Sequence, residues 1–104
     1  MPITSGILVP DSQSQLFTAP SALVLRFACF TNISDNEVEL TLWLVKDGEA
    51  PSDANTLFAE IKLLPKESFV LDSDRLILDQ NDSIFGRASA PNAVSFVASY
   101  YPLT

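Results

Sequence analysis

Val38-Glu39-Leu40-Thr41-Leu42-Trp43-Leu44-Val45-Lys46 decides the fold class. In an extended chain Val38, Leu40, Leu42 and Leu44 fall on one side, and Glu39, Thr41, Trp43 and Val45 on the other. A period of two sustained over this length marks a strand with one face in a core. The pattern recurs on both sides of it. In residues 22–31, Leu23, Leu25, Phe27 and Cys29 share one face, and Val24, Arg26, Ala28 and Phe30 the other, which Arg26 marks as the outer one. In residues 57–63, Leu57, Ala59, Ile61 and Leu63 point inward, and Phe58, Glu60 and Lys62 outward. Residues 16–18, 68–71, 75–78, 83–88 and 93–101 complete the strand-like runs.

Turn chemistry separates these runs. Asn32-Ile33-Ser34-Asp35-Asn36, Asp47-Gly48, Pro65-Lys66-Glu67, Asp79-Gln80-Asn81-Asp82 and Pro91-Asn92 all bond their own backbone or preset it for a bend. No run keeps apolar residues at helical spacing without a proline or a turn cluster intervening. About seven or eight short strands with turns every ~8–12 residues predict an all-β protein, an antiparallel β-sandwich of jelly-roll-like kind. Residues 16–104 are expected to form that domain. Residues 1–15, broken by Pro2, Gly6, Pro10 and several serines, are expected to be an extended N-terminal arm. Its apolar triplet Ile7, Leu8, Val9 would order itself against something else, such as a neighbouring subunit.

The chain is one domain long, with 104 residues. Hydrophobic residues make up 47% and charged ones 18%, which excludes a disordered tail. No apolar run approaches the ~18 residues that would read as a membrane span. Met1 to Gly6 carries no Lys or Arg, so the basic start of a signal peptide is missing and cytoplasmic synthesis is expected. Thirteen acidic residues against six basic ones give a net charge of −7, and the basic residues are scattered singly. Phosphate binding needs clustered Lys and Arg, so a nucleic-acid partner is not expected. The same charge would be repelled by an anionic membrane. Cys29 is the single cysteine, which rules out an intrachain disulfide.

Catalysis finds little to work with. The chain has no histidine, which removes the commonest general base and most transition-metal sites. Its three glycines lie too far apart to build a phosphate loop. Cys29, on the apolar face of its strand, reads as a small buried hydrophobe. Asp72, Asp74, Asp79 and Asp82 are the remaining candidates, as a carboxylate pair or as oxygen ligands for calcium. No twelve-residue calcium loop completes the pattern, and Asp at strand ends and turns is the simpler account. No enzyme activity, metal or other cofactor is expected.

The outward aromatics carry more information. Phe30, Trp43 and Phe58 fall on outer faces by alternation, and Tyr100 and Tyr101 must point to opposite sides. Large apolar groups on an outer face mark a partner surface, unless a loop or the N-terminal arm covers them. The candidate partner-binding residues are therefore Ile7, Leu8, Val9, Phe30, Trp43, Phe58 and Tyr101.

Taken together, residues 14–101 resemble small phage virion structural proteins of β-sandwich type, the capsid decoration or cement and tail accessory proteins. The resemblance rests on five blocks. They are Leu16-Phe17-Thr18-Ala19-Pro20, Phe27-Ala28-Cys29-Phe30-Thr31-Asn32, Thr41-Leu42-Trp43-Leu44-Val45-Lys46-Asp47-Gly48, Leu63-Leu64-Pro65-Lys66-Glu67-Ser68, and Leu78-Asp79-Gln80-Asn81-Asp82-Ser83-Ile84. Asn81 stands where the pattern usually has Gly; Asn tolerates positive φ, so the turn survives. The resemblance implies a virion component that binds capsid or tail proteins of the same particle, and it implies no catalytic residues. The first expectation is a homo-oligomeric capsid decoration protein, trimer favoured. The alternative is a carbohydrate-binding module of a phage tail or bacterial surface, with Trp43, Tyr100 and Tyr101 stacking on sugars.

Overall fold

The computed structural model describes residues 3–103, apart from the side chains of residues 4–7 and 72–75. Eight strands follow in order: β1 (Ile3–Leu8), β2 (Ser14–Thr18), β3 (Leu23–Asn32), β4 (Val38–Val45), β5 (Thr56–Leu63), β6 (Ser68–Leu78), β7 (Ser83–Ala88) and β8 (Val94–Pro102). They form two antiparallel four-stranded sheets, sheet I in the order β1-β8-β3-β6 and sheet II in the order β2-β7-β4-β5. The pairs β1–β8, β2–β7, β3–β6 and β4–β5 are those of one long hairpin rolled into two layers. That is the jelly-roll arrangement of two Greek keys.

Between the layers lie Leu23, Leu25, Phe30, Leu40, Leu42, Ile84 and Phe96, all buried. An aromatic chain crosses this core from its middle to one edge. Phe96 and Phe30 have ring centroids 5.0 Å apart, Phe30 and Phe69 6.4 Å, and Phe69 meets Phe58 edge-on at 5.1 Å. Phe58 from β5 and Phe69 from β6 thus close the sandwich where the two sheet edges meet. On the far side Phe17 of β2 packs on Tyr100 of β8 at 5.2 Å.

Bulges redirect several strands. In β3 the register against β8 shifts by one between Leu25 and Phe27, so Arg26 is an extra residue. Leu23 and Leu25 are buried, but beyond the bulge the inward set becomes Ala28 and Phe30. Phe30, expected on the outer face, is 1% exposed, and Cys29, expected in the core, stands half-buried on the outer side. In β5 the register slips between Phe58 and Ile61, with Glu60 at a φ of 52°. Phe58 therefore turns inward opposite Leu42, while Ala59 is exposed. A third bulge, between Gln15 and Phe17, lets the consecutive Leu16 and Phe17 both be buried.

The N-terminal segment departs from the expected arm. Its backbone pairs with β8 as an edge strand, Ile3 opposite Ser99 and Leu8 opposite Ser95. Val9 follows into the core, its N–H donating to the Val94 carbonyl at 2.8 Å. An edge position suits this segment, because a strand with one unpaired side tolerates the flanking prolines. Residues 68–71 and 75–78, read as separate runs, belong to the single strand β6.

Three turns share one device. Glu49 N donates to Lys46 O, Glu67 N to Leu64 O and Asp82 N to Asp79 O, each at 3.0 Å. Their third positions, Gly48, Lys66 and Asn81, have φ of 83°, 67° and 72°. These are type II turns, and Asn81 fills its left-handed position as the sequence allows. No helix among the described residues is long and apolar enough to cross a membrane.

Candidate functional site

The outer face of sheet I is built row by row from the pairing of its strands. Ser68, Thr31, Ser95 and Leu8 form one row, and Val70, Cys29 and Val97 the next. Phe27, Ser99 and Ile3 form the third, and Ile77, Val24 and Tyr101 the last. Alternation puts these residues outside because their neighbours Ala28, Phe30, Phe96 and Ala98 are in the core. Several are large and exposed: Ile77 at 59%, Val70 at 48% and Tyr101 at 46%, with Ile3 and Leu8 exposed as well.

This face is apolar and hydroxylic. Thr31 Oγ1 and Ser68 Oγ share a hydrogen bond of 2.8 Å, and Cys29 Sγ lies 3.6 Å from Thr31 Oγ1. Arg26, the bulged residue, brings the one charged side chain among the described residues of these rows. Its guanidinium lies over the Tyr101 ring, 5.1 Å from the centroid. A cation so placed meets the negative face of the ring.

Sheet II presents a different outer face. Glu39 and Lys62 stand opposite each other on β4 and β5, and a recess of about 230 Å³ has walls that include Thr41, Trp43, Asp53, Thr56, Glu60 and Arg87. The loop after β4 lies over the Trp43 end of this face. Its 3-10 turn, Asp53–Asn55, lies against β4. The loop is held by Asn55 Oδ1 accepting from Ser52 N at 2.8 Å and Asn55 Nδ2 donating to Ala50 O at 2.9 Å. Trp43 is consequently only 9% exposed.

The expected partner-binding residues are therefore dispersed. Leu8 and Tyr101 stand on the outer face of sheet I, at opposite ends of it. Val9 and Phe30 are core residues, and Phe58 seals the sandwich edge. Trp43 does point outward from sheet II, but a loop covers it, so it offers an edge and not a stacking platform. The side chain of Ile7 lies outside the described residues. Val24, Val70, Ile77 and Val97 were not singled out by the sequence reading. Their signal was available in β8, where Ser95, Val97 and Ser99 alternate with Val94, Phe96 and Ala98 without one charge.

The acidic turn is explained by backbone capping. Asp82 Oδ1 accepts from Asp47 N at 3.0 Å and Asp82 Oδ2 from Asp79 N at 2.9 Å. Among the described residues no group of three His, Cys, Asp or Glu side chains is placed to hold a metal ion. No family model, no curated protein and no solved structure matches the chain.

Proposed function

We propose that this protein is a non-enzymatic structural component of a phage virion, a capsid decoration protein that adheres to a neighbouring protein subunit through the outer face of sheet I. The observation that carries the proposal is the contrast between that face and the rest of the chain. A protein of net charge −7 gathers Val24, Val70, Ile77, Val97 and Tyr101 on the outer face of sheet I, with Val70, Ile77 and Tyr101 open to solvent. Contiguous exposed apolar surface of this kind is a mark of a protein–protein contact. Jelly rolls serve in viral capsid and lectin domains, which favours the reading by analogy of fold alone. The resemblance to small virion proteins points the same way.

Mass spectrometry of purified particles from the source tests the placement. Hundreds of copies per particle are expected for a decoration protein; a few copies would move it to the tail, and absence would end the virion reading.

The recess over Trp43 favours a second reading, a carbohydrate-binding module. Thr41, Thr56, Asp53, Glu60 and Arg87 offer hydroxyl, carboxylate and guanidinium partners for a sugar. Stacking on Trp43 is closed off by the loop, so binding would rest on those polar groups. Glycan-array binding that is lost in Glu60→Ala and Arg87→Ala would support it.

A further inference from the structure

We infer that the recess beside Trp43, on the outer face of sheet II, binds one uncharged pyranose ring through its hydroxyl groups. This rests on the carbohydrate reading above and names the class of sugar. It is independent of adhesion through sheet I, because the two outer faces lie on opposite sides of the sandwich. A bulge builds the recess. Between the pairs Leu40–Ile61 and Leu42–Phe58, β4 has the single residue Thr41 and β5 has two, Ala59 and Glu60. Such an insertion interrupts the ladder and re-aims a side chain. Glu60 takes a φ of 52°, uncommon for a residue other than glycine, and its N–H donates to the Thr41 hydroxyl at 3.1 Å. On the other side of Thr41, β7 places Arg87 directly opposite it. Glu60 and Arg87 therefore line the recess from either side of Thr41. Asp53 joins them from the loop after β4, which is held in place by Thr56 Oγ1 donating to Ser52 O at 3.1 Å and by the bonds of Asn55.

The lining selects the ligand. The Arg87 guanidinium only donates hydrogen bonds, ionised Asp53 and Glu60 only accept them, and a threonine hydroxyl does both. Among the described residues, none of the three charged side chains is engaged by another part of the chain. A carboxylate or phosphate would satisfy Arg87 but face two carboxylates. An ammonium would satisfy the carboxylates but face the guanidinium. A hydroxyl gives a proton to the one and accepts from the other, so a ring with adjacent hydroxyls suits both. Its carbon-bound edge would meet Trp43, Ala59 and the threonine methyls. The volume of about 230 Å³ lies below the ~300–1,000 Å³ of sites for larger ligands, which fits one ring and not an extended chain.

Trp43 is the only tryptophan and lines the recess, so its fluorescence reports occupancy. The experiment titrates the full chain with methyl glucoside, methyl galactoside and methyl mannoside, and with glucuronic acid and glucosamine, using calorimetry as a second readout. At least one neutral glycoside should change the Trp43 emission saturably, with a Kd on the order of a millimolar, the scale for so small a ligand. Glucuronic acid and glucosamine should bind at least about tenfold more weakly. Glu60→Gln and Arg87→Met, both at exposed positions, should each weaken binding about tenfold while circular dichroism stays unchanged. Equal or tighter binding of either charged sugar, or unchanged affinity in both variants, would overturn the assignment. So would no saturable response to any neutral glycoside at about a hundredfold above that Kd. A glycan array then separates the two claims. Polysaccharide binding lost in Glu60→Ala and Arg87→Ala would keep the carbohydrate reading and drop the single ring; no glycan binding at all would end both.

Discussion

The side-chain amide of Asn32, at the end of β3 in sheet I, donates to the Leu63 carbonyl at the end of β5 in sheet II at 3.0 Å. This bond crosses from one layer to the other at a site closed to solvent. The same amide donates to Asn36 O at 2.8 Å, and Asn32 Oδ1 accepts from Ser34 N at 2.9 Å and Ser34 Oγ at 2.7 Å. Its backbone joins in, with Asn32 N donating to Glu67 O and Lys66 N to Asn32 O. One residue therefore ties a strand end, the following turn and the β5–β6 turn together. Asn32→Ala is expected to cost roughly 3 kcal/mol, because buried carbonyls and an amide lose partners at once. Urea unfolding measures it; a loss below about 1 kcal/mol would mean that water replaces the side chain there.

Gly86 sits where β7 faces the core. A Cβ on it would lie 2.6 Å from Leu16 Cδ1 and 3.3 Å from Leu42 Cδ2. The nearer atom is the end of a side chain that can shift, so Gly86→Ala is expected to cost about 1 kcal/mol and Gly86→Val about 3. Thermal melts of the two variants should rank in that order. Equal stability would show that the Leu16 side chain has more room than its burial indicates.

Asp82 has both carboxylate oxygens occupied by backbone N–H groups, those of Asp47 and Asp79. Calcium at millimolar concentration should leave the melting temperature unchanged, and chelator likewise. Asp82→Ala should destabilise by about 1–2 kcal/mol through the two lost caps. A calcium-dependent rise in melting temperature that Asp82→Ala abolishes would give this turn a metal site instead.

Trp43 is a cover-packed residue of the sheet II outer face and the only tryptophan. Its native fluorescence should be blue-shifted and weakly quenched by acrylamide. Trp43→Ala is expected to lose roughly 3 kcal/mol of stability, the usual scale for truncating a buried large aromatic. Strong quenching in the native state would mean that the loop over it stands open.

The β-sandwich was legible in the sequence wherever alternation ran unbroken, as in β4 and β8, and a turn that can hold a positive φ at Asn81 was legible from its residue type. The faces of β3 and β5 were not, because a bulge inserts a residue that a period of two cannot register. Arg26 and Glu60, charged residues within apolar strands, mark the two places, and each sent an aromatic to the side opposite to that expected. Val9 and Leu8 sit among prolines and serines that break regular structure, so nothing local announced an edge strand paired with a partner far along the chain. The outer face of sheet I went unnoticed for a related reason. Its rows are assembled from β1, β3, β6 and β8, and their moderate Val, Ser and Thr content becomes a surface only once the register is known.

The most direct test of the account compares alkylation of Cys29 in intact particles with alkylation of the isolated chain at high dilution. The face around Val70, Cys29 and Val97 is predicted to be covered in the particle, so the thiol should react at least several-fold more slowly there. Equal rates in particle and isolated chain would contradict adhesion through sheet I.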